Sequence, residues 1–187
     1  MNIAVYSGSF NPLHIGHLAI MKYLTQEAGF DMVRLIVSPK NPLKDSISSD
    51  SAQDRFNAAT EAVGRHFAET GKVKVDDIEL TMPEPHYTIR TLDALRAMEP
   101  ENTFTLVMGA DNLAGIRRWK DYTRILLEYG VAVHPREGDD LTQIKQDLLE
   151  ENPAYKIQLI DAPLVTVSSS QIRQALQNGE DVSHLLM

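Results

Sequence analysis

The 187-residue sequence contains no cysteine, which excludes disulfides, thiolate zinc sites and iron–sulfur clusters and suits a reducing compartment. It has no uncharged apolar run near the ~18 residues a membrane span needs. Its start, MNIAVYSGSF, lacks a basic n-region and a long apolar stretch, so no secretory signal is expected. A cytoplasmic location is the expectation. Positive charge is scarce: 18 Lys+Arg against 26 Asp+Glu leave −8, which repels nucleic acid and anionic membrane at long range. Two common phosphate motifs, Gly-x-x-x-x-Gly-Lys-Ser/Thr and Gly-x-Gly-x-x-Gly, are missing.

What is present has globular proportions, 43% apolar and 24% charged, over a length that suits one domain, residues 1–187. Six short apolar, mostly β-branched runs read as buried strands: Ile3–Tyr6, Val33–Val37, Val73–Val75, Phe104–Met108, Val131–Val133 and Ile157–Ile160. Helical spacing lies between them. It runs from Ile15 to Ala28, from a cap at Asp50 or Ser51 through Val63, from Thr88 through Leu95, over Asp139–Glu150, and over Ser169–Gln177 before Asn178-Gly179. Alternation of strand and helix predicts an α/β fold, a Rossmann-like doubly wound parallel sheet with helices on both faces. Two stretches read as irregular: the Pro- and Ser-rich segment after Ser38, and Leu80–His86. Asp76, Asp77 and Glu79 read as a solvated acidic edge.

Ligands of such sheets sit beyond the carboxyl ends of the strands. Five predicted strand ends carry glycines, hydroxyls, histidines or cations. The strongest signal is Gly8-Ser9-Phe10-Asn11-Pro12-x-His14-x-Gly16-His17, directly after the first strand. Gly8 permits close backbone approach, and His14 and His17, three apart where a helix opens, stand beside its free N–H groups. Imidazole N–H donors there suit phosphate oxygens. Two histidines without a near third ligand do not suggest a metal site, so no protein metal ligands are expected.

These residues are also where the chain becomes recognisable. His14-x-Gly16-His17 after the first strand, joined to Ser168-Ser169-Ser170-Gln171-Ile172-Arg173, resembles the nucleotidylyltransferase superfamily. With Tyr87-Thr88, Gly109-Ala110-Asp111-Asn112-Leu113 and Trp119, the pattern looks like the bacterial nicotinate-nucleotide adenylyltransferase family from residue 3 to about residue 177. The resemblance implies transfer of AMP from ATP to nicotinate mononucleotide, giving deamido-NAD and pyrophosphate, with Mg²⁺ carried mainly on the ATP phosphates. It implies that Gly8 and Ser9 meet the ATP phosphates and that His14 and His17 bind them through the transition state. Ser169, Ser170 and Arg173 would hold the β/γ end, and Gly109 and Asp111 the ribose and adenine. His14, His17 and Arg173 are then the catalytic set. Trp119 would stack on the nicotinate ring, Tyr87 and Thr88 would receive its carboxylate, and Lys44 and Arg136 would supply acceptor-phosphate charge, with Lys40 a weaker candidate.

The match has departures. Ser7 stands where glycine is common, His86 where serine is usual and Arg90 where aspartate is usual, while His134-Pro135-Arg136-Glu137-Gly138 replaces an Arg-Pro-Gly. Changes near the acceptor pocket bear on acid-versus-amide preference rather than on the chemistry. A relative using nicotinamide mononucleotide or phosphopantetheine, and a non-catalytic nucleotide sensor, are the alternatives at this stage.

Overall fold

The computed structural model describes residues 1–39, 51–164 and 166–187. Six parallel strands make one sheet in the order β3-β2-β1-β4-β5-β6. They are β1 Asn2–Gly8, β2 Met32–Val37, β3 Val73–Asp76, β4 Thr103–Gly109, β5 Val131–His134 and β6 Ile157–Leu159. Every expected strand forms, with its ends moved by one or two residues at most.

The central strands are mostly apolar because both their faces are covered, while the edge strands β3 and β6 carry exposed residues. Ala4 and Tyr6 of β1 join one core and Ile3 and Val5 the other, as the two-residue period of a strand requires. The first core is closed by Met21 and Leu24 of α1 (Ile15–Gln26) and by Ala59, Val63 and Phe67 of α2 (Ala52–Phe67). After α3 (Ile78–Thr81), the second core is closed by Leu92 and Leu95 of α4 (Thr88–Met98). Leu113 of α5 (Ala110–Ala114), Ile125 and Leu126 after α6 (Tyr122–Arg124), and Leu148 of α7 (Leu141–Glu151) complete it. Helix α8 (Ser169–Gln177) buries only Ile172. Among the described residues no helix is long and apolar enough to cross a membrane.

Strand order reverses beside β1: the chain winds outward to β3, then returns to place β4 on the other side of β1. Helices leaving β1 and β4 therefore diverge, and a crevice opens at their carboxyl ends.

Two expectations are corrected. The acidic edge is solvated only at Asp77. Asp76 pairs with Arg34 at 3.0 Å and accepts the Ile78 N–H at 2.8 Å, while Glu79 is 5% exposed and accepts from Ser38 Oγ at 3.3 Å. The one-turn helix α3 tucks that carboxylate under the ends of β1 and β2; four residues are too few to show a period in sequence. The stretch 110–129, read only as a strand end and a tryptophan, folds into consecutive short helical turns that supply much of the second core.

Candidate active site

Strand β1 ends at Gly8, and Phe10 follows with φ +48°, folding its ring back over the strand end. A Cβ on Gly8 would sit 3.2 Å from that ring, so glycine lets the aromatic close down. Phe10 meets Tyr6 edge-on at 5.4 Å and His17 at 5.1 Å. The chain then reaches His14, which caps α1.

The two histidines form a reciprocal cap of an unusual kind. His14 Nδ1 accepts the Gly16 N–H at 3.1 Å, and His17 Nδ1 accepts the His14 N–H at 3.1 Å. Their rings stack with centroids 3.7 Å apart. With each Nδ1 occupied as an acceptor, the proton of each neutral ring resides on Nε2. Burial, then the positive charge of Arg136, lowers His14 to about pKa 4. Burial, then His14, His134 and Arg136, lowers His17 to about 3. Near neutral pH both are uncharged Nε2–H donors.

His134, the last residue of β5, lies opposite Gly109 in the ladder and is 7% exposed. Burial pushes its pKa down. A Cβ on Gly109 would fall 2.6 Å from Asp111 Oδ1 and 3.1 Å from both His134 Cε1 and Arg136 Cγ. Without a Cβ, Gly109 lets the three side chains converge where an alanine would push the Asp111 carboxylate aside. Arg136 Nε faces Asp111 Oδ1 at 3.5 Å.

The far end of the chain completes the site. Ser168 caps α8, Ser169 Oγ donates to the Pro12 carbonyl at 2.9 Å, and Arg173 Nη1 donates to the Asn11 carbonyl at 2.6 Å. Arg173 Nη2 donates to Ser170 Oγ at 3.2 Å. Behind the loop, buried Arg55 of α2 donates to the carbonyls of Ser9 (2.7 Å) and Ser38 (2.8 Å), holding the ends of β1 and β2 together.

One cavity of about 960 Å³ gathers Gly8, Ser9, His14, His17, Gly109, Asp111, Trp119, Arg136, Ser169, Ser170 and Arg173. The exposed Tyr87, which precedes α4, and the half-buried Thr88, its first residue, do not line it. Lys44 and Lys40 lie outside the described residues. Arg55, Phe10 and His134 line the cavity without having been assigned a role from sequence. A buried arginine interrupting the apolar face of α2, and a histidine ending an apolar strand, are the signals that mark two of them. Among the described residues no group of three or more His, Cys, Asp or Glu is placed to hold a metal ion.

An all-parallel 3-2-1-4-5-6 sheet with imidazole, hydroxyl and guanidinium donors at its switch point defines a Rossmann-like nucleotidyltransferase. The chain belongs to the cytidylyltransferase-like family, whose pattern it matches over residues 5–175, and within it to the nicotinate-nucleotide adenylyltransferases. A protein of Flavobacterium johnsoniae named "Probable nicotinate-nucleotide adenylyltransferase" is 36% identical over 186 residues, covering 100% of this chain and 92% of the relative. A Bacteroides fragilis protein of the same name is 35% identical, covering 97% and 85%. The structure of Plasmodium falciparum nicotinic acid mononucleotide adenylyltransferase complexed with NaAD shares the fold, with a TM-score of 0.77 at 22% identity over 97% of this chain and 86% of that one.

Proposed function

We propose that this protein transfers AMP from ATP to nicotinate mononucleotide, forming deamido-NAD and pyrophosphate. The observation that carries the reading is the convergence of His14, His17 and Arg173, from opposite ends of the chain, on one cavity. A phosphate oxygen of the acceptor attacks the α-phosphorus of ATP. The new P–O bond forms as the bond to the β-phosphate bridging oxygen breaks, and its electron pair leaves with pyrophosphate. A phosphate monoester dianion is already nucleophilic near neutral pH, so neither a covalent intermediate nor a strong base is required. Catalysis comes from positioning and from donors aimed at developing charge.

In this reading Gly8, Ser9 and the Nε2–H groups of His14 and His17 hold the α-phosphate region. Arg173, with Ser169 and Ser170 where α8 opens, takes the departing β/γ end. Gly109 admits the nucleoside and Asp111 accepts from its ribose. Trp119 offers a flat face to the pyridine ring, with Arg136 and Lys44 as acceptor-phosphate cations. Tyr87 and Thr88, at the positive end of α4, receive the nicotinate carboxylate. Asp111 is the one carboxylate among the described lining residues and already faces Arg136, so the donor set suits Mg²⁺ carried by the triphosphate oxygens. There Mg²⁺ would offset charge on the phosphates.

The test is pyrophosphate release by purified protein with ATP, Mg²⁺ and each acceptor separately. Turnover with nicotinate mononucleotide well above that with nicotinamide mononucleotide or phosphopantetheine is expected. Absence of release with every pyridine mononucleotide refutes the reading, and equal rates with acid and amide refute the specificity alone.

A further inference from the structure

Trp119 stands on the cavity wall in a segment of short turns, packed against the second core next to buried Ile116. It follows a three-residue turn, Ile116–Arg118, and precedes Asp121, whose φ of +52° bends the chain into the three-residue α6. Besides that packing, the segment is held by a carboxylate from another element. Glu151, the last residue of α7, accepts from Arg117 Nε at 3.1 Å on Oε1 and from Tyr122 Oη at 3.2 Å on Oε2. Those two donors flank Trp119 on either side. A third, Tyr155 Oη, donates to Oε2 at 2.7 Å from a side chain buried in the second core. The carboxylate is thus anchored from below by Tyr155 and grips the tryptophan segment at both ends.

We propose that Glu151 is a positioning residue that sets the orientation of Trp119 and through it the affinity for the acceptor's aromatic ring. The inference rests on the proposed stacking role of Trp119. Glu151 does not line the cavity, and the phosphate-binding groups sit elsewhere, at the end of β1, on α1, after β5 and on α8. The Arg117–Glu151 pair is exposed on both sides, 47% and 33%, and exposed pairs contribute little to stability. Loss of the clamp is therefore read in the geometry of the platform and not in unfolding.

Trp119 is the sole tryptophan, so emission excited at the red edge, where the six tyrosines do not absorb, reports on the platform alone. The experiment titrates wild type, Glu151→Ala, Glu151→Gln and Tyr122→Phe with nicotinate mononucleotide. It follows tryptophan emission and acrylamide quenching, and measures KM for each substrate by pyrophosphate release. Glu151→Ala is expected to raise KM for nicotinate mononucleotide about tenfold, the ratio that corresponds to one lost hydrogen bond. Its KM for ATP stays unchanged, and its tryptophan is more quenchable before ligand is added. Glu151→Gln, which keeps one carbonyl acceptor, recovers part of the effect, and Tyr122→Phe, which removes one hydroxyl from an otherwise intact fold, shows a smaller shift of the same kind. Wild-type quenching and an unchanged acceptor KM in Glu151→Ala and Tyr122→Phe overturn the clamp. So does an equal rise in both KM values with normal quenching. Wild-type emission that ignores nicotinate mononucleotide overturns the placement of the acceptor at Trp119, and the proposal with it.

Discussion

Replacing Arg173 by alanine separates two jobs that its guanidinium is placed to do. In the structure the group is a rivet, with Nη1 on the Asn11 carbonyl at 2.6 Å and Nη2 on Ser170 Oγ at 3.2 Å. A hydrogen bond from a charged donor is worth about 1.5–3 kcal/mol, and the half-buried site, where water replaces part of the loss, puts the cost near the lower figure. Helix α8 keeps its Ser169 bond to Pro12 and its buried Ile172, so the fold survives. For a chain of this length about 1.5 kcal/mol lowers the melting temperature by roughly 3–6 °C. The second job, in the proposed mechanism, falls in the transition state, where losing a donor aimed at developing charge costs ~2.7–4 kcal/mol, or about 10²–10³ in kcat. Arg173→Ala should therefore melt a few degrees lower and turn over two to three powers of ten more slowly at saturating ATP and acceptor. Arg173→Lys keeps the charge but not the fork that reaches Asn11 and the phosphate together, and should fall between. The measurements are initial-rate pyrophosphate release and thermal unfolding by circular dichroism on the same preparations. A kcat within about tenfold of wild type, alongside the expected melting shift, would leave Arg173 a structural tie and refute its catalytic placement.

Three further outcomes follow from the geometry. His14 and His17 have folded pKa values of about 4 and about 3, below the ordinary 6.5, so the fold favours their neutral forms. Their contribution to stability is complete above pH 6.5 and is lost as pH falls toward 3–4; the ligand-free melting temperature should drop from pH 7 to pH 5, less steeply in a His14→Gln/His17→Asn double variant, and an equal slope contradicts the assignment. Gly109→Ala places a methyl 2.6 Å from Asp111 Oδ1 and 3.1 Å from His134, which should raise KM for ATP with little change in melting temperature; an unaltered ATP KM removes Gly109 from the proposed nucleoside subsite. Arg34 is 4% exposed and bonds Asp76 at 3.0 Å and both oxygens of Glu99 at 2.9 and 3.0 Å. Breaking a buried pair costs ~3–5 kcal/mol, but these carboxylates reach water, so Arg34→Met should cost about 2–3 kcal/mol in urea unfolding at pH 7. The bond to Arg34 holds Glu99 below the usual carboxylate range, so that cost should shrink as pH falls through it; a pH-independent cost excludes the ion pair as its source.

The parts of this molecule legible in sequence are those whose cause is local. β-Branched runs mark all six strands, and the Gly8–His17 and Ser168–Arg173 strings stand out because their residue types sit where a strand ends or a helix opens. What the string cannot display is what arrives from afar. Glu79 reads as solvated beside Asp76 and Asp77, yet Ser38, 41 residues away, meets it in the interior. Arg55 looks like an ordinary helix residue until the Ser9 and Ser38 carbonyls close on it. The turns from 110 to 129 are each too short for a period, although together they roof the second core. A spacing of three predicts that His14 and His17 are neighbours; that backbone N–H groups occupy both Nδ1 atoms, and so decide the tautomer, emerges only from coordinates.

The neutrality of these rings explains how an acidic chain gathers so many cationic groups around one cavity. The cavity draws Arg55, Arg136, Arg173 and three histidines against the single carboxylate of Asp111 among its described lining residues, although the whole chain carries −8. Were both stacked imidazoles charged, two cations with centroids 3.7 Å apart would face each other beside Arg136. At an effective dielectric of about 20, a pair ~4 Å apart repels by about 4 kcal/mol, a large share of a domain's net stability. Holding them neutral avoids that cost and keeps two N–H dipoles fixed by the backbone where phosphate charge would develop. Donors already held in place need no reorganisation when charge appears, which is the condition under which such groups accelerate phosphoryl chemistry most. The full charges are then left to guanidinium groups the fold already holds in place, Arg173 on the Asn11 carbonyl, Arg55 on the Ser9 and Ser38 carbonyls, and Arg136 facing Asp111.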